Sequence, residues 1–313
     1  MKIKFWGVRG SIPAPLTSLQ IQNKIAAAVQ RIEKKDLESA ETRELFLSKI
    51  PRSLFGTVGG NTTCLEIRLS DDTMLIFDAG SGIRELGNEL KKRNAHIRHY
   101  HIFLSHFHWD HLHGLPFFTP MAERKAKLTF YSPVDRMEEY IKGQMKFPYF
   151  PVPMDVMAAN FEFVVLKEAP LKIGTAEISW RKMNHPGGCY SYLVMESGKK
   201  VIFSTDTALS DEDFKKTRSN FAYFNGANLL VMDSQYTLGE AIEKYDWGHS
   251  SYSLAVDFSA AWDIKNLILF HHEPLYGDTK MHSILKSSGW YLNYIEQKGI
   301  KIYLAQEQLE LTI

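Results

Sequence analysis

The chain is poor in cysteine. Of its 313 residues only Cys64 and Cys189 carry thiols, and neither belongs to a Cys-x-x-Cys pair. One disulfide is conceivable, yet two buried free thiols suit a reducing compartment better. An excess of one charge is also missing: 37 Lys and Arg face 36 Asp and Glu, for a net charge of +1. That balance gives no support for broad nucleic-acid or membrane-surface binding and leaves only a local basic patch open. No apolar run approaches the ~18 residues of a membrane span. The opening segment Met1-Lys2-Ile3-Lys4-Phe5-Trp6-Gly7 reads as a strand and lacks the apolar core and cleavage site of a signal peptide, so a cytoplasmic location is expected. Short repeats and low-complexity tracts are lacking as well. What remains, 44% hydrophobic and 23% charged, is ordinary globular composition on a chain long enough to bury a large core.

The densest signal is His106-Phe107-His108-Trp109-Asp110-His111, directly after the apolar Ile102-Phe103-Leu104. An uninterrupted strand would send His106, His108 and Asp110 to one face and His111 to the other. A loop at a strand end can fold all four around one point. Imidazole nitrogen and carboxylate oxygen suit zinc and related divalent ions. More such groups follow strand-like runs in the second half: His185 after 178–183, Asp206 after 201–204, Asp233 after 229–232, and His271 with His272 beside it after 267–270. Strand ends and their loops are where sheets present functional groups. Each alone reads as readily as a cap or turn residue. Together with the hexad they supply enough ligands for two metal ions.

Strand-like runs recur at 2–8, 63–69, 74–78, 101–105, 127–131, 161–166, 176–182, 189–196, 200–204, 229–233, 266–270 and 300–304. They are short, rich in β-branched and aromatic residues, and bounded by Gly, Asp, Asn or Pro. Both halves of the chain are strand-rich and carry helical segments, which predicts two sheets packed together with helices outside. The longest helical stretch is 18–50, where Ile25, Val29 and Ile32 have helical spacing and a second helix over 38–50 ends before Pro51. It reads as a surface helical hairpin, with an interaction arm or dimer element as the alternative. Further helices are expected at 83–93, 136–142, 250–262 and 282–298. Residues 143–160 hold three prolines among aromatics and methionines, which rules out an unbroken helix or central strand. Such a loop fits a lid, a substrate wall, a dimer contact or a loop tucked against the core.

The order His-x-His-x-Asp-His, then a distant His, then Asp, then His, resembles the metallo-β-lactamase superfamily from Lys2 to about Glu273. The resemblance implies an α/β fold, an αββα sandwich of two mixed β-sheets with helices on the outer faces. It implies a single domain over 1–313, with the helical insertion at about 15–56 and the Pro/aromatic loop at about 143–160. It further implies that His106, His108 and His185 hold one metal, that Asp110, His111 and His271 hold a second, and that Asp206 bridges them. Asp78, in Ile76-Phe77-Asp78-Ala79-Gly80-Ser81-Gly82, resembles the aspartate that supports the site. Leu269 and His271 share a strand face, which favours His271 over His272 as the ligand, although the other register stays open. Zn2+ fits the nitrogen-rich set with a carboxylate bridge, with Mn2+, Fe2+ or Co2+ as alternatives. Diiron oxygen-reducing members of the superfamily carry Glu where this chain has His108. Ser105, Asp78 and His113 are candidates to orient the imidazoles. His96, His99 and His101 read as surface residues around a polar turn, and His282 as the start of a helix.

The string Trp247-Gly248-His249-Ser250-Ser251 narrows the resemblance to the phosphodiesterase branch, which includes ribonuclease Z and small-phosphodiester relatives. There the His is assisted by an acidic residue of the preceding strand, here most like Asp233. Four other strings resemble ribonuclease-Z-like bacterial hydrolases, some of which act on cyclic nucleotides: Gly7-Val8-Arg9-Gly10-Ser11-Ile12-Pro13, Gly59-Gly60-Asn61-Thr62-Thr63-Cys64, Asn184-His185-Pro186-Gly187-Gly188 and Phe270-His271-His272-Glu273-Pro274. The implied chemistry is attack by a metal-bound hydroxide on phosphorus, with His249, oriented by Asp233, protonating the leaving alkoxide. Asp110 enters the catalytic set through its metal; a ligated carboxylate is poorly free to act as base.

The expected substrate is therefore a small phosphodiester, a cyclic nucleotide among them. RNA is disfavoured because the 15–56 insertion is helical and carries both charge signs, where the ribonuclease Z arm is a Gly/Pro-rich basic insertion. The alternatives are a ribonuclease-Z-like RNA 3′-processing endonuclease, a carboxylic ester or lactone hydrolase, and a non-catalytic ligand sensor that keeps the metal pocket. No membrane partner is expected. A homodimer is compatible with the resemblance and with the proline–aromatic segment.

Overall fold

The computed structural model describes residues 1–93 and 96–313. In chain order its strands are β1 (Lys2–Gly7), β2 (Cys64–Arg68), β3 (Met74–Phe77), β4 (His99–Phe103), β5 (Lys127–Ser132), β6 (Asn160–Val165), β7 (Leu171–Ile173), β8 (Ala176–Met183), β9 (Cys189–Glu196), β10 (Lys199–Ser204), β11 (Leu229–Asp233), β12 (Asn266–Phe270), β13 (Lys301–Leu304) and β14 (Glu310–Thr312). They form two seven-stranded sheets, ordered β14-β1-β2-β3-β4-β5-β6 and β13-β12-β11-β10-β9-β8-β7. In the first, β3 to β6 run parallel while β14, β1 and β2 pair antiparallel. In the second, β10 to β13 run parallel and β7 to β10 antiparallel. Both sheets are mixed, as the α/β sandwich requires.

Side-chain alternation builds the layers. Along β3, Leu75 and Phe77 enter the core between the sheets, while Met74 and Ile76 pack outward beneath helix Gly82–Lys92. Along β11, Leu229 and Val231 face inward, and Leu230 and Met232 pack beneath helices Tyr252–Ala261 and Asp278–Tyr294. Strands covered on both faces read as continuous apolar runs because each side has its own partner layer. Between the sheets Phe77 and Phe103 stack with ring centroids 5.2 Å apart, and Phe77 meets Tyr192 and Phe203 of the opposite sheet at 5.7 Å. Burying each such ring contributes on the order of 2–3 kcal/mol.

The parallel strands end at a common edge of the two sheets, where the hexad follows β4, Asp206 follows β10, Asp233 ends β11 and His271 follows β12. The hexad leaves β4 after Phe103 and turns through a short 3-10 segment at Trp109–His111. β4 itself begins at His99, two residues before the expected start, so His99 and His101 are strand residues and not members of a surface turn. His101 is only 9% exposed, and its Nδ1 lies 2.9 Å from the Tyr131 hydroxyl on β5. His282 lies inside helix Asp278–Tyr294 instead of starting it.

Within 15–56 the chain forms helices Ser18–Val29 and Ala40–Lys49, each opened by a capping box, Thr17 with Gln20 and Ser39 with Thr42. The apolar spacing noted there faces solvent: Ile25 and Val29 are exposed. In 143–160, Met145, Phe150 and Met154 join the outer core of the first sheet, while Phe147 and Tyr149 stay exposed. Strands β7 and β14, at three residues each, and helices Arg218–Phe224 and Leu238–Glu243 were too short to register as patterns.

Candidate metal centre

At the carboxyl edge the side chains converge into three overlapping groups, one of them Asp233, His249 and His271. One ligand atom each from His106, His108, His185 and Asp206 lie within 4.8 Å of one another, and the same holds for Asp110, His111, Asp206 and His271. Asp206 is common to both. His271 Nε2 lies 3.1 Å from Asp206 Oδ1 and 3.3 Å from Asp110 Oδ2. His272 is turned away, its Nε2 2.9 Å from the Ala305 carbonyl, and burial pushes its pKa down to about 3. The strand-face argument is not what selects His271, which lies beyond the end of β12 in a left-handed backbone conformation (φ 62°).

That conformation recurs. Asp78 (φ 61°) follows β3, Asp206 (φ 43°) lies two residues past β10, and Ser11 (φ 61°) sits in the loop after β1. Non-glycine residues adopt this region at a cost of ~1–3 kcal/mol each. At these positions it turns a side chain that would continue the strand into the space between the sheet ends.

Supporting groups fix the imidazoles. Asp78 accepts hydrogen bonds from the Ser105 N–H (2.7 Å) and Ser105 Oγ (2.7 Å) and pairs with His111 Nδ1 (2.8 Å). His111 Nε2 is thereby aimed at Asp110 Oδ2 and Asp206 Oδ1, 3.1 Å from each. His185 Nδ1 faces the Gly248 carbonyl at 3.0 Å, which leaves Nε2 toward His108 and Asp206. His113 contacts the Trp109 carbonyl through Nδ1 and reaches none of the cluster's groups in the described contacts.

The residues fit divalent cations. The buried His106 Nε2 has no hydrogen-bond partner among the described residues, and an orphaned buried ring nitrogen is costly unless something occupies it. Burial, reinforced by the neighbouring imidazoles, lowers the pKa of His106 well below the usual histidine value, and burial also lowers those of His108 and His185. These rings are held neutral, the form that binds a cation. Burial would raise Asp206 and Asp110, but His271 and His111 around the first, and His111 and His271 around the second, outweigh it and keep both carboxylates ionised. His111, which burial alone would lower, is raised instead by Asp110, Asp206 and Asp78.

Beside both groups, His249 Nδ1 lies 2.7 Å from Asp233 Oδ2. Its ring stacks on His271 at 5.1 Å and lies 5.2 Å from His185. Burial would depress His249, yet Asp233 overrides it and pushes the pKa up to about 9. Asp233 is fully buried at the end of β11 and also accepts from the Thr207 and Gln235 N–H groups at 3.0 and 3.1 Å.

Two contributors were invisible in the sequence reading. The Ser11 N–H donates to Asp110 Oδ2 at 2.8 Å, and a Cβ on Gly10 would stand 2.5 Å from the His271 ring. The string Gly7–Pro13 marked this loop, but not that its backbone clasps two groups of the cluster. Arg9 anchors it from below, buried, donating to the carbonyls of Gly59, Glu273 and Tyr276.

Two mixed sheets carrying a histidine–aspartate centre at their shared carboxyl edge define a metallohydrolase architecture. A family model described as the beta-lactamase superfamily domain matches residues 73–272, more than half of the chain. The chain belongs to the beta-lactamase superfamily and is a metal-dependent hydrolase. It is similar to a ribonuclease Z of Picrophilus torridus, 22% identical over 291 residues that cover 78% of this chain and 87% of the relative. In structure it resembles the metallo-beta-lactamase fold protein YhfI of Bacillus subtilis, with TM-score 0.64 and 15% identity over 99% of this chain and 98% of the other. A diphosphatase from the PhnP family superposes with TM-score 0.63 and 14% identity over 100% and 97%.

Proposed function

We propose that the protein is a dinuclear metal-dependent phosphodiesterase that hydrolyses a small phosphodiester, a cyclic nucleotide among the candidates. In this reading His106, His108 and His185 would hold one ion and Asp110, His111 and His271 the other, with Asp206 within reach of both groups. When bound, two divalent ions supply Lewis-acid activation of a water molecule and of a phosphoryl oxygen. Zinc suits the nitrogen-rich donor set best.

The observation that carries the reading is the Asp233–His249 pair at 2.7 Å, set against both groups but engaged by neither in a hydrogen bond. An alkoxide expelled from phosphorus needs a proton. His249 holds one at Nε2, and Asp233, accepting at Nδ1, fixes the ring orientation and favours the cation. The same cation balances charge on the phosphoryl oxygens. A cavity of 440 Å³ lined by Ser11, His108, Trp109, Asp110, Asp206 and His249 gives a small phosphodiester room at this point.

The ribonuclease Z relatives favour a second reading, RNA 3′ processing. Against it stands the insertion, which forms two short helices with charges of both signs. Metal-loaded protein assayed with bis-p-nitrophenyl phosphate tests the chemistry: no turnover with zinc, manganese or cobalt despite two bound ions would sink it. A panel of cyclic mononucleotides, cyclic dinucleotides and precursor transfer RNA then separates the two substrates.

A further inference from the structure

The ligands of the hexad alternate with aromatics, and the alternation splits two spaces. Phe107, His108 and Trp109 line both the 440 Å³ cavity at the candidate centre and a second, larger cleft of 1470 Å³ beside it. That cleft runs under the proline–aromatic segment and is walled by Phe107, Trp109, Phe117, Tyr140, Tyr149 and Phe150. Phe107 and Tyr140 meet edge to face at 5.2 Å, as do Phe117 and Phe150 at 5.8 Å, so part of the wall is pre-formed. Trp109 is 82% exposed and Tyr149 81% exposed, with ring faces open. A tryptophan left bare between two metal-ligand positions contributes little to packing and is available to a ligand.

The cleft is not simply greasy. Two of its lining residues, Gln144 and His113, each carry a buried nitrogen, Nε2, with no hydrogen-bond partner among the described residues. Lys146 of that segment adds a charged group, and Lys142, from the preceding helix, is paired with Glu138 and Asp155. Rings that can stack, together with unsatisfied hydrogen-bonding nitrogens on lining residues, match a planar heterocycle with polar edges. They do not match an acyl chain, which would leave those nitrogens unpaired.

We infer that this cleft is a nucleobase subsite, and that Trp109 is its stacking platform and a specificity-determining residue. The inference rests on the phosphodiesterase reading for what lies in the adjoining cavity. A nucleotide's phosphoryl group occupies the small cavity while its base lies in the cleft, past the Phe107–Trp109 boundary. The substrate class is then nucleoside phosphodiesters, in preference to diesters without a base.

The test is isothermal titration of the metal-loaded protein with adenosine 5′-monophosphate and with ribose 5-phosphate, metal content being measured in parallel. Adenosine monophosphate should bind at least about tenfold more tightly, as expected when a base gains a stacking partner. Trp109→Ala should remove the difference and Trp109→Phe should restore most of it. Equal affinities in the unaltered protein would overturn the inference, as would a preference that survives Trp109→Ala. If sedimentation shows a dimer that Trp109→Ala dissociates while the preference persists, the cleft is a subunit contact and the inference fails. Turnover of bis-p-nitrophenyl phosphate reports on the phosphodiesterase reading independently: turnover without base preference rejects the subsite alone, whereas base preference without turnover of any phosphodiester rejects the reading alone.

Discussion

Gly248 and His185 are locked together. The Gly248 carbonyl faces His185 Nδ1 at 3.0 Å, and the Gly248 backbone (φ 85°) passes so near that a Cβ there would sit 2.4 Å from the same nitrogen. One residue later the chain delivers His249 to Asp233. A single backbone turn thus sets the orientation of a candidate ligand and the position of a candidate acid.

Gly248→Ala should disturb both at once. The left-handed φ is costly for alanine, by ~1–3 kcal/mol, and the clash displaces the His185 ring. We expect a lower denaturation midpoint and a ~10–100-fold loss of metal affinity, the range found for residues that orient ligands. Melting curves and metal titrations of the variant check this; unchanged values in both would show that the turn tolerates a side chain.

His249→Ala should separate chemistry from metal binding. The prediction is a ~10²–10⁴-fold fall in kcat with two ions retained per chain. Asp233→Asn should give a smaller loss in the same direction, because the ring keeps its place but loses its charged partner. Full activity in His249→Ala would remove the residue from the mechanism.

Asp78→Asn should weaken one ion more than the other. The carboxylate satisfies Ser105 twice and fixes the His111 ring, whereas His106, His108 and His185 do not depend on it directly. Stoichiometry measured against increasing chelator should show one ion released early. Simultaneous loss of both would contradict the division into two groups.

Acid should destabilise the protein through His101. Burial holds its pKa down to about 4, against an ordinary value near 6.5. In the unfolded chain the ring takes up a proton as pH falls below ~6.5, whereas in the folded chain it resists until about 4. The stability of the neutral ring is therefore fully present above pH ~6.5 and lost on descending to about 4, by roughly 1–2 kcal/mol once partial solvent screening is allowed for. His101→Gln should flatten that part of the pH–stability curve, measured by denaturant titration of both forms; superimposable curves would exclude the role.

Most of the sheet scaffold was legible because each strand is a compact apolar run, and Cys189–Glu196, Leu229–Asp233 and Asn266–Phe270 fall on the expected residues. The convergence of His185, Asp206 and His271 on the hexad was legible only through the order of the motifs, since no local pattern ties residues so far apart. His101 was misplaced because a histidine in a run with His96 and His99 looks exposed until the pairing of β4 with β5 supplies Tyr131. Ser11 and Gly10 were missed because they act through a backbone N–H and through the lack of a side chain, neither of which has a periodicity to read. The apolar spacing of 18–29 was visible, yet it faces solvent, and sequence alone does not say which way a helix face turns.

The left-handed backbone at Asp78, Asp206 and His271 has a consequence for how such a chain can change. Glycine would relax the backbone at each position but strip buried groups of their partners: at Asp78 it would orphan the Ser105 N–H and hydroxyl and His111 Nδ1. The strained backbone is thus held by the polar contacts it makes possible. A library screened for heat resistance, even in the presence of chelator, should keep Asp78 and gather its stabilising changes elsewhere.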